Sequence, residues 1–183
     1  DDKHERYMNL LASVKGLEPI PTAVAHPCDV ESLKGPVIAY QEGIIEPFLI
    51  GPESKIRSVA EEFGIDLHGI RIVNAKHSHD SAALAVSMVR TGDAEALMKG
   101  SLHTDELMSE VVSRANGLRT ARRISHVFVM NVPTYHRPLL ITDAAINIKP
   151  TLEDKEDIIQ NAIDLAHILG IPEPKVAILS AIE

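Results

Sequence analysis

Short apolar runs alternate along this chain with longer segments of helical periodicity, and that alternation restricts the fold more than any other feature. The runs lie at residues 22–25, 47–50, 70–73, 94–98, 125–132, 138–142 and 175–180, most of strand length and not themselves alternating polar with apolar. Between them, the segment 52–63 ends at Gly64 and the segment 80–91 at Gly92, each glycine standing where a helix C-terminus favours a left-handed residue. Thr151-x-x-Asp154 opens a further segment like a capping box with Asp in place of Glu, and that segment runs to Gly170. An earlier amphipathic stretch carries Tyr7, Met8, Leu10, Leu11 and Val14 at helical spacing. Residues 29–43 are harder to read, because Pro36 breaks a helix interior; the spacing predicts a helix that starts at Pro36.

Apolar strands separated by helices belong to a largely parallel sheet covered on both faces, which gives an α/β fold with three layers. Residues 125–142 depart from the pattern, with two strands in a row around a polar link at 131–138. A hairpin and a passage from one domain to the next both fit. The last run, "PKVAILSAIE", reads as a buried strand with nothing to cover it, so the chain is expected to continue in the natural protein.

Composition narrows the function classes. Aromatic residues make up 3% and Trp is absent, so the core is built from Ala, Val, Ile, Leu and Met. A formal charge of -8 without a Lys or Arg block argues against nucleic acid. Cys28 is the only cysteine, which excludes an intrachain disulfide and suits a reducing compartment. No apolar run is long enough for a membrane span, and "DDKHERY" is unlike a secretory signal. The expected location is the cytoplasm.

In parallel sheets ligands bind beyond the carboxyl ends of strands. The stretches at such ends are "KGSLHTDE", "TDAAINI" and, less clearly, "AHPCD". In the first, Lys99 brings a charge, Gly100 a close backbone approach, and Ser101, His103 and Thr104 polar groups at a helix start, a set suited to phosphate. A helix N-terminus alone contributes about 0.3–1 kcal/mol toward an anion, so the charge and hydroxyls are needed. A helix capped by Thr104 after a glycine turn explains the same letters equally well. In the second, Asp143 and Asn147 are able to face one crevice, while an Asx turn is the simpler reading. Among Arg114, Arg119, Arg122 and Arg123, Arg119 after Asn116-Gly117 is the candidate for a bidentate anion contact. His77-x-His79 supplies two metal ligands with nothing to force a third, so no metal is expected, and Cys28 reads as a small buried residue.

The strings "AHPCDVESLKG", "GDAEALMKGSLHTDELM", "GLRTARRISHVFVMNVP", "PLLITDAAINIKP" and "EDKEDIIQNAIDLAHILGIPEPKVAILSAIE" resemble the phosphate acetyl/butyryltransferase family in order along nearly the whole chain. They are most similar to the phosphate acetyltransferase region of bifunctional enoyl-CoA hydratase/phosphate acetyltransferases. The resemblance implies a two-domain α/β fold like that of isocitrate and isopropylmalate dehydrogenases with the site in the cleft, residues 1–135 forming part of the first domain and 136–183 the truncated start of the second. It implies acyl transfer, acetyl or another short acyl group, between coenzyme A and inorganic phosphate without a cofactor, in a homo-oligomer, with a hydratase domain as a candidate N-terminal fusion. Lys99, Gly100, Ser101, His103, Thr104 and Arg119 then become substrate contacts, with Asp143 and Asn147 a wall from the other domain. The family's catalytic Ser-Arg pair and following Asp have no counterpart here, so no catalytic residue is assigned and these residues alone are expected to be inactive. A phosphate butyryltransferase, a dehydrogenase of related fold and a non-catalytic CoA-binding or oligomerisation fragment are the alternatives. The dehydrogenase lacks a glycine-rich dinucleotide fingerprint.

Overall fold

The structure is a computed structural model and describes residues 2–179. It divides into two compact units, one of Leu11–Arg119 and the other of the residues up to Leu10 together with those from Thr120 onward.

The Leu11–Arg119 unit holds a four-stranded sheet in the order β3-β2-β1-β4, with β1 at Ile20–Ala25, β2 at Ile45–Gly51, β3 at Arg71–Asn74 and β4 at Ala96–Lys99. Every pairing is parallel, Ala25 standing opposite Ile50 on one side and Lys99 on the other. Helices α2 (Val30–Gln41), α3 (Glu53–Phe63) and α4 (Ser78–Thr91) make the crossovers, and α5 (Thr104–Val111) follows the last strand. Ala23, Ala25, Phe48 and Ile50 turn one sheet face toward Ala82, Ala85 and Val86 of α4 and Leu107 and Val111 of α5. Val24 and Leu49 turn the other toward Leu33 of α2 and Ile56 and Ala60 of α3. Adjacent residues of one strand thus enter different cores, which is why these strands read as continuous apolar runs. The alanines on the first face leave room for α4 to lie close to the sheet, so this core needs few aromatics.

The sequence-based helix start at Pro36 is wrong. Helix α2 begins at Val30 and runs through Pro36, whose ring is buried. Asp29 caps it, accepting from the Ser32 N–H at 2.8 Å, while the Asp29 N–H reaches back to the Ser32 hydroxyl. The proline removes one intrahelical donor, but the cap and burial of Leu33, Pro36 and Val37 hold the helix together. Gly64 and Gly92 close α3 and α4 in the left-handed conformation, with φ of 64° and 85°, as the spacing predicts.

In the other unit the consecutive strands form a hairpin, β5 (Phe128–Met130) antiparallel to β6 (Leu139–Ile141) with Val129 opposite Leu140. Helix α6 (Leu152–Ile168) opens on the expected reciprocal cap between Thr151 and Asp154. Helix α1 (Asp2–Val14) forms where the spacing places it, yet Tyr7, Met8 and Leu10 are exposed. The Arg6 guanidinium donates to Tyr135 O at 2.9 Å and so ties that helix to the hairpin loop. Residues 175–179 pair with no strand, and Ile178 and Leu179 are exposed; the rest of the strand expected to reach Ser180 lies outside the described residues.

Leu49 is fully buried between β1 and the α2–α3 layer. Leu49→Ala is expected to lower stability by about 2–5 kcal/mol, read as an earlier urea midpoint with an unchanged denaturant slope.

Candidate functional site

From β1 the chain builds β2 and β3 to one side, and then returns to place β4 on the other. The loops after β1 and β4 therefore leave the sheet toward opposite faces, one to α2 and one to α5. The carboxyl edge between them is the place where parallel sheets bind ligands. Two of the stretches singled out in the sequence, "AHPCD" and "KGSLH", meet there.

Their meeting is specific. The Gly100 N–H donates to Ala25 O at 2.8 Å and the Ser101 N–H to His26 O at 2.9 Å. The Ser101 hydroxyl also donates to His26 O, at 2.8 Å, and accepts from the Cys28 N–H at 3.1 Å. A Cβ on Gly100 would stand 2.3 Å from Ala25 O and 2.6 Å from the carbonyl carbon and oxygen of His26. The close approach that Gly100 permits is thus to the end of β1. Ser101 likewise donates its proton within the turn, closing β4 against β1.

Thr104 is the first residue of α5, exposed, and His103 holds the cap position instead. The His103 N–H donates to Glu106 Oε2 at 2.9 Å, while Ser78, which opens α4, donates to Glu106 Oε1 at 2.7 Å and His79 Nε2 stands 3.3 Å from the same oxygen. The Ser78 hydrogen bond first, then the His103 N–H and the neighbouring histidines, hold the Glu106 carboxyl below its ordinary range. Lys99 is exposed and its ammonium lies 3.3 Å from Gly100 O. Asp29 is held low by the Ser32 hydrogen bonds and then by Lys55 and Lys99. Burial raises the Cys28 thiol, with Lys55 opposing. Arg119 follows Gly117, where a Cβ would meet Val111 O at 2.4 Å; it is exposed and makes no hydrogen bond or ion pair among the described residues.

Asp143 and Asn147 belong to the other unit, and there they meet. Asn147 donates to Asp143 Oδ2 through its N–H at 2.6 Å and its side-chain amide at 2.7 Å, and the His126 N–H donates to Asp143 Oδ1 at 2.7 Å. Burial works to raise the Asp143 carboxyl, but these hydrogen bonds outweigh it and hold the group low. Arg123 donates to Asn147 Oδ1 at 2.8 Å and pairs with Asp154, and Arg122 pairs with Asp164 at 2.6 Å. The pair is a knot of structure, more heavily bonded than an Asx turn. Among the described residues no group of three or more His, Cys, Asp or Glu is placed to hold a metal ion.

His26, Lys55, Ser81 and Glu106 escaped the sequence reading as site residues. Lys55 lies in the first turn of the helix that follows β2, so the rule about carboxyl ends already pointed at it. His103-x-x-Glu106 has the spacing of a capping box, with a cap residue outside the usual set.

A sheet edge furnished with lysines and hydroxyls, in a doubly wound α/β unit, is the frame of a ligand-binding enzyme domain. Residues 76–183 match the family described as "Phosphate acetyl/butaryl transferase". The chain belongs to the phosphate acetyl/butyryltransferase family. It is 55% identical to a phosphate acetyltransferase of Rickettsia prowazekii, over 100% of this chain and 52% of that protein, and 57% identical to one of Rhizobium meliloti, over 97% and 56%. A phosphate butyryltransferase of Clostridium acetobutylicum is 36% identical over 97% and 59%. The chain thus spans about half the length of the curated relatives it matches. Its fold resembles a branched-chain phosphotransacylase from Enterococcus faecalis, with a TM-score of 0.69 at 28% identity, covering 90% of this chain and 57% of that one. A phosphotransacetylase from Streptococcus pyogenes shares the fold with a TM-score of 0.76 at 19% identity, over 92% and 59%.

Gly100→Ala is expected to destabilise the protein by at least about 1–3 kcal/mol, because the Cβ meets backbone that has no rotamer to change. Ser101→Ala removes the hydroxyl's bonds to His26 O and the Cys28 N–H, both of which keep other partners, and is expected to cost about 0.5–1.5 kcal/mol. Both are read from urea unfolding.

Proposed function

We propose that the protein carrying this chain transfers an acetyl group between coenzyme A and inorganic phosphate, giving acetyl phosphate. The observation that carries this reading is the convergence of the "AHPCD" and "KGSLH" turns at the switch point of a parallel sheet, with Lys99 on one turn and Lys55 beside it in charge. The higher identity to relatives named phosphate acetyltransferase than to those named phosphate butyryltransferase favours acetyl over butyryl. The reaction needs no bound cofactor, since the thioester and phosphate are both substrates. Lys99 and Arg119 supply the positive charge for phosphate or for the phosphates of CoA, and His103 and Thr104 line the same edge.

The complete site is a cleft between two domains of the isocitrate and isopropylmalate dehydrogenase type, in a cytoplasmic homo-oligomer. Within that cleft the carbonyl of the thioester meets phosphate, and holding both together supplies much of the rate. Asp143 and Asn147 shape the wall around β6 by fixing one another.

The test is phosphate-dependent release of CoA from acetyl-CoA and from butyryl-CoA by the whole parent protein. Acetyl-CoA is expected to be the better substrate. Lys99→Ala and Arg119→Ala are each expected to raise KM for phosphate or CoA about tenfold, equivalent to about 1.4 kcal/mol of lost binding, with the unfolding midpoint unchanged. Unaltered kinetics in both would remove the anion contacts proposed for Lys99 and Arg119.

A further inference from the structure

His26 ends β1 with a backbone that only a surrounding structure would keep. Its φ is 58°, the left-handed region, and no other non-glycine residue among those described has positive φ. For an ordinary side chain that conformation costs about 1–2 kcal/mol. Both ends of its peptide are clamped: the His26 N–H donates to Ile50 O at 2.7 Å, and His26 O receives the N–H groups of Cys28 and Ser101 and the Ser101 hydroxyl.

The ring is fixed as well. Nδ1 lies 3.1 Å from the hydroxyl of Ser81, a fully buried residue of α4. The same hydroxyl lies 2.9 Å from His77 O, which only accepts. Two oxygens at that separation need the serine proton between them, so Ser81 gives its proton to His77 O and accepts from His26 Nδ1–H. When the imidazole is neutral, its lone pair is therefore on Nε2. Nε2 has no hydrogen-bond partner among the described residues, and no buried side-chain nitrogen or oxygen there is unpartnered. Nε2 therefore reaches solvent.

On the proposed acyl-transfer reading, on which this inference rests, we propose that His26 Nε2 carries the proton between phosphate and the CoA sulfur. As an oxygen of hydrogen phosphate attacks the thioester carbonyl, a C–O bond forms and the phosphate proton passes to Nε2. As the C–S bond then breaks, the departing sulfur takes that proton, leaving acyl phosphate and free thiol with the imidazole neutral again. In reverse, Nε2 takes the thiol proton. Burial first, and then Lys55 of α3, lower the affinity of His26 for a proton, while Glu106 of α5 opposes them. The resting ring is accordingly neutral at pH 7. The other groups around it are His77 on the α4 side, Cys28 and Asp29 on its own loop, and Lys99 and His103 beyond β4.

The strained backbone has a use in this arrangement. It turns the ring onto the Ser81 hydroxyl at the carboxyl edge, and Ser81 then dictates which nitrogen is bare.

The test uses His26→Asn in the whole parent protein. Asparagine tolerates left-handed φ and its amide replaces the Nδ1–H donor to Ser81, but it has nothing at Nε2. The expected result is a fall in kcat of about 100-fold or more, with KM for phosphate and CoA within about threefold, an unchanged urea midpoint and loss of the acidic limb of the pH profile. A folded variant that keeps kcat within about threefold, or keeps that limb, overturns the proposal. Nitrogen-15 NMR of the wild-type ring is the second measurement and needs no variant to fold: Nδ1–H with a bare Nε2 is expected, and the opposite tautomer overturns the assignment. Failure of the wild-type protein to release CoA sinks the acyl-transfer reading itself, a different outcome from activity that survives His26→Asn.

Discussion

The carbonyl of His26 is the point on which the carboxyl edge of the sheet depends. β1 is an interior strand paired with β2 and β4, and the peptide just after it must accept the whole β4 turn while the chain reverses toward α2. The Ser101 N–H, the Ser101 hydroxyl and the Cys28 N–H all end on that one oxygen. At about 0.5–1.5 kcal/mol each, such bonds together outweigh a left-handed residue that costs about 1–2 kcal/mol. The loops on either side of the switch point are therefore not independent. A ligand held by one is positioned with respect to the other.

That coupling explains why the residue types at the opening turn were legible and their roles were not. Glycine, serine and histidine between a strand and a helix announced an unusual turn. The letters do not say whether a close approach is to a ligand or to the neighbouring strand, because both forbid a Cβ. Gly100 faces β1 backbone, and Ser101 bonds the adjacent loop. Separating the possibilities required knowing that β4 pairs with β1 and not with β3, which is a property of strand order. The crossovers themselves were readable from period and end signals, as at Gly64 and Gly92. Pro36 misled because a buried ring and a good cap at Asp29 override a local rule.

Charge at the edge follows a similar logic. Asp29 and Glu106 are each bonded locally, to Ser32 and to Ser78 and the His103 N–H, and these bonds fix their carboxylates before any ligand arrives. Lys99 has only its own turn for a partner. Both carboxylates keep their charge while their donors hold them in place, and Lys99 stands beside them with its ammonium exposed to solvent. Net charge argues against nucleic acid as a partner, but it says nothing of local sign.

The arginine-rich stretch shows the converse. Arg122 and Arg123, which looked like interchangeable surface cations, are engaged by Asp164 and by Asn147 and Asp154, so α6 and the Asp143 turn form one hydrogen-bonded body. Among the described residues Arg119 has no such partner. The distinction is geometric: Arg119 comes two residues after a glycine packed on the last carbonyls of α5, whereas Arg122 and Arg123 lie within reach of a helix that presents acids at 154, 157 and 164. A cation already paired at about 2.6 Å must lose that bond to gain a substrate. An unpaired one loses only water, and on that ground Arg119, like Arg114, is better suited to a substrate anion than Arg122 or Arg123.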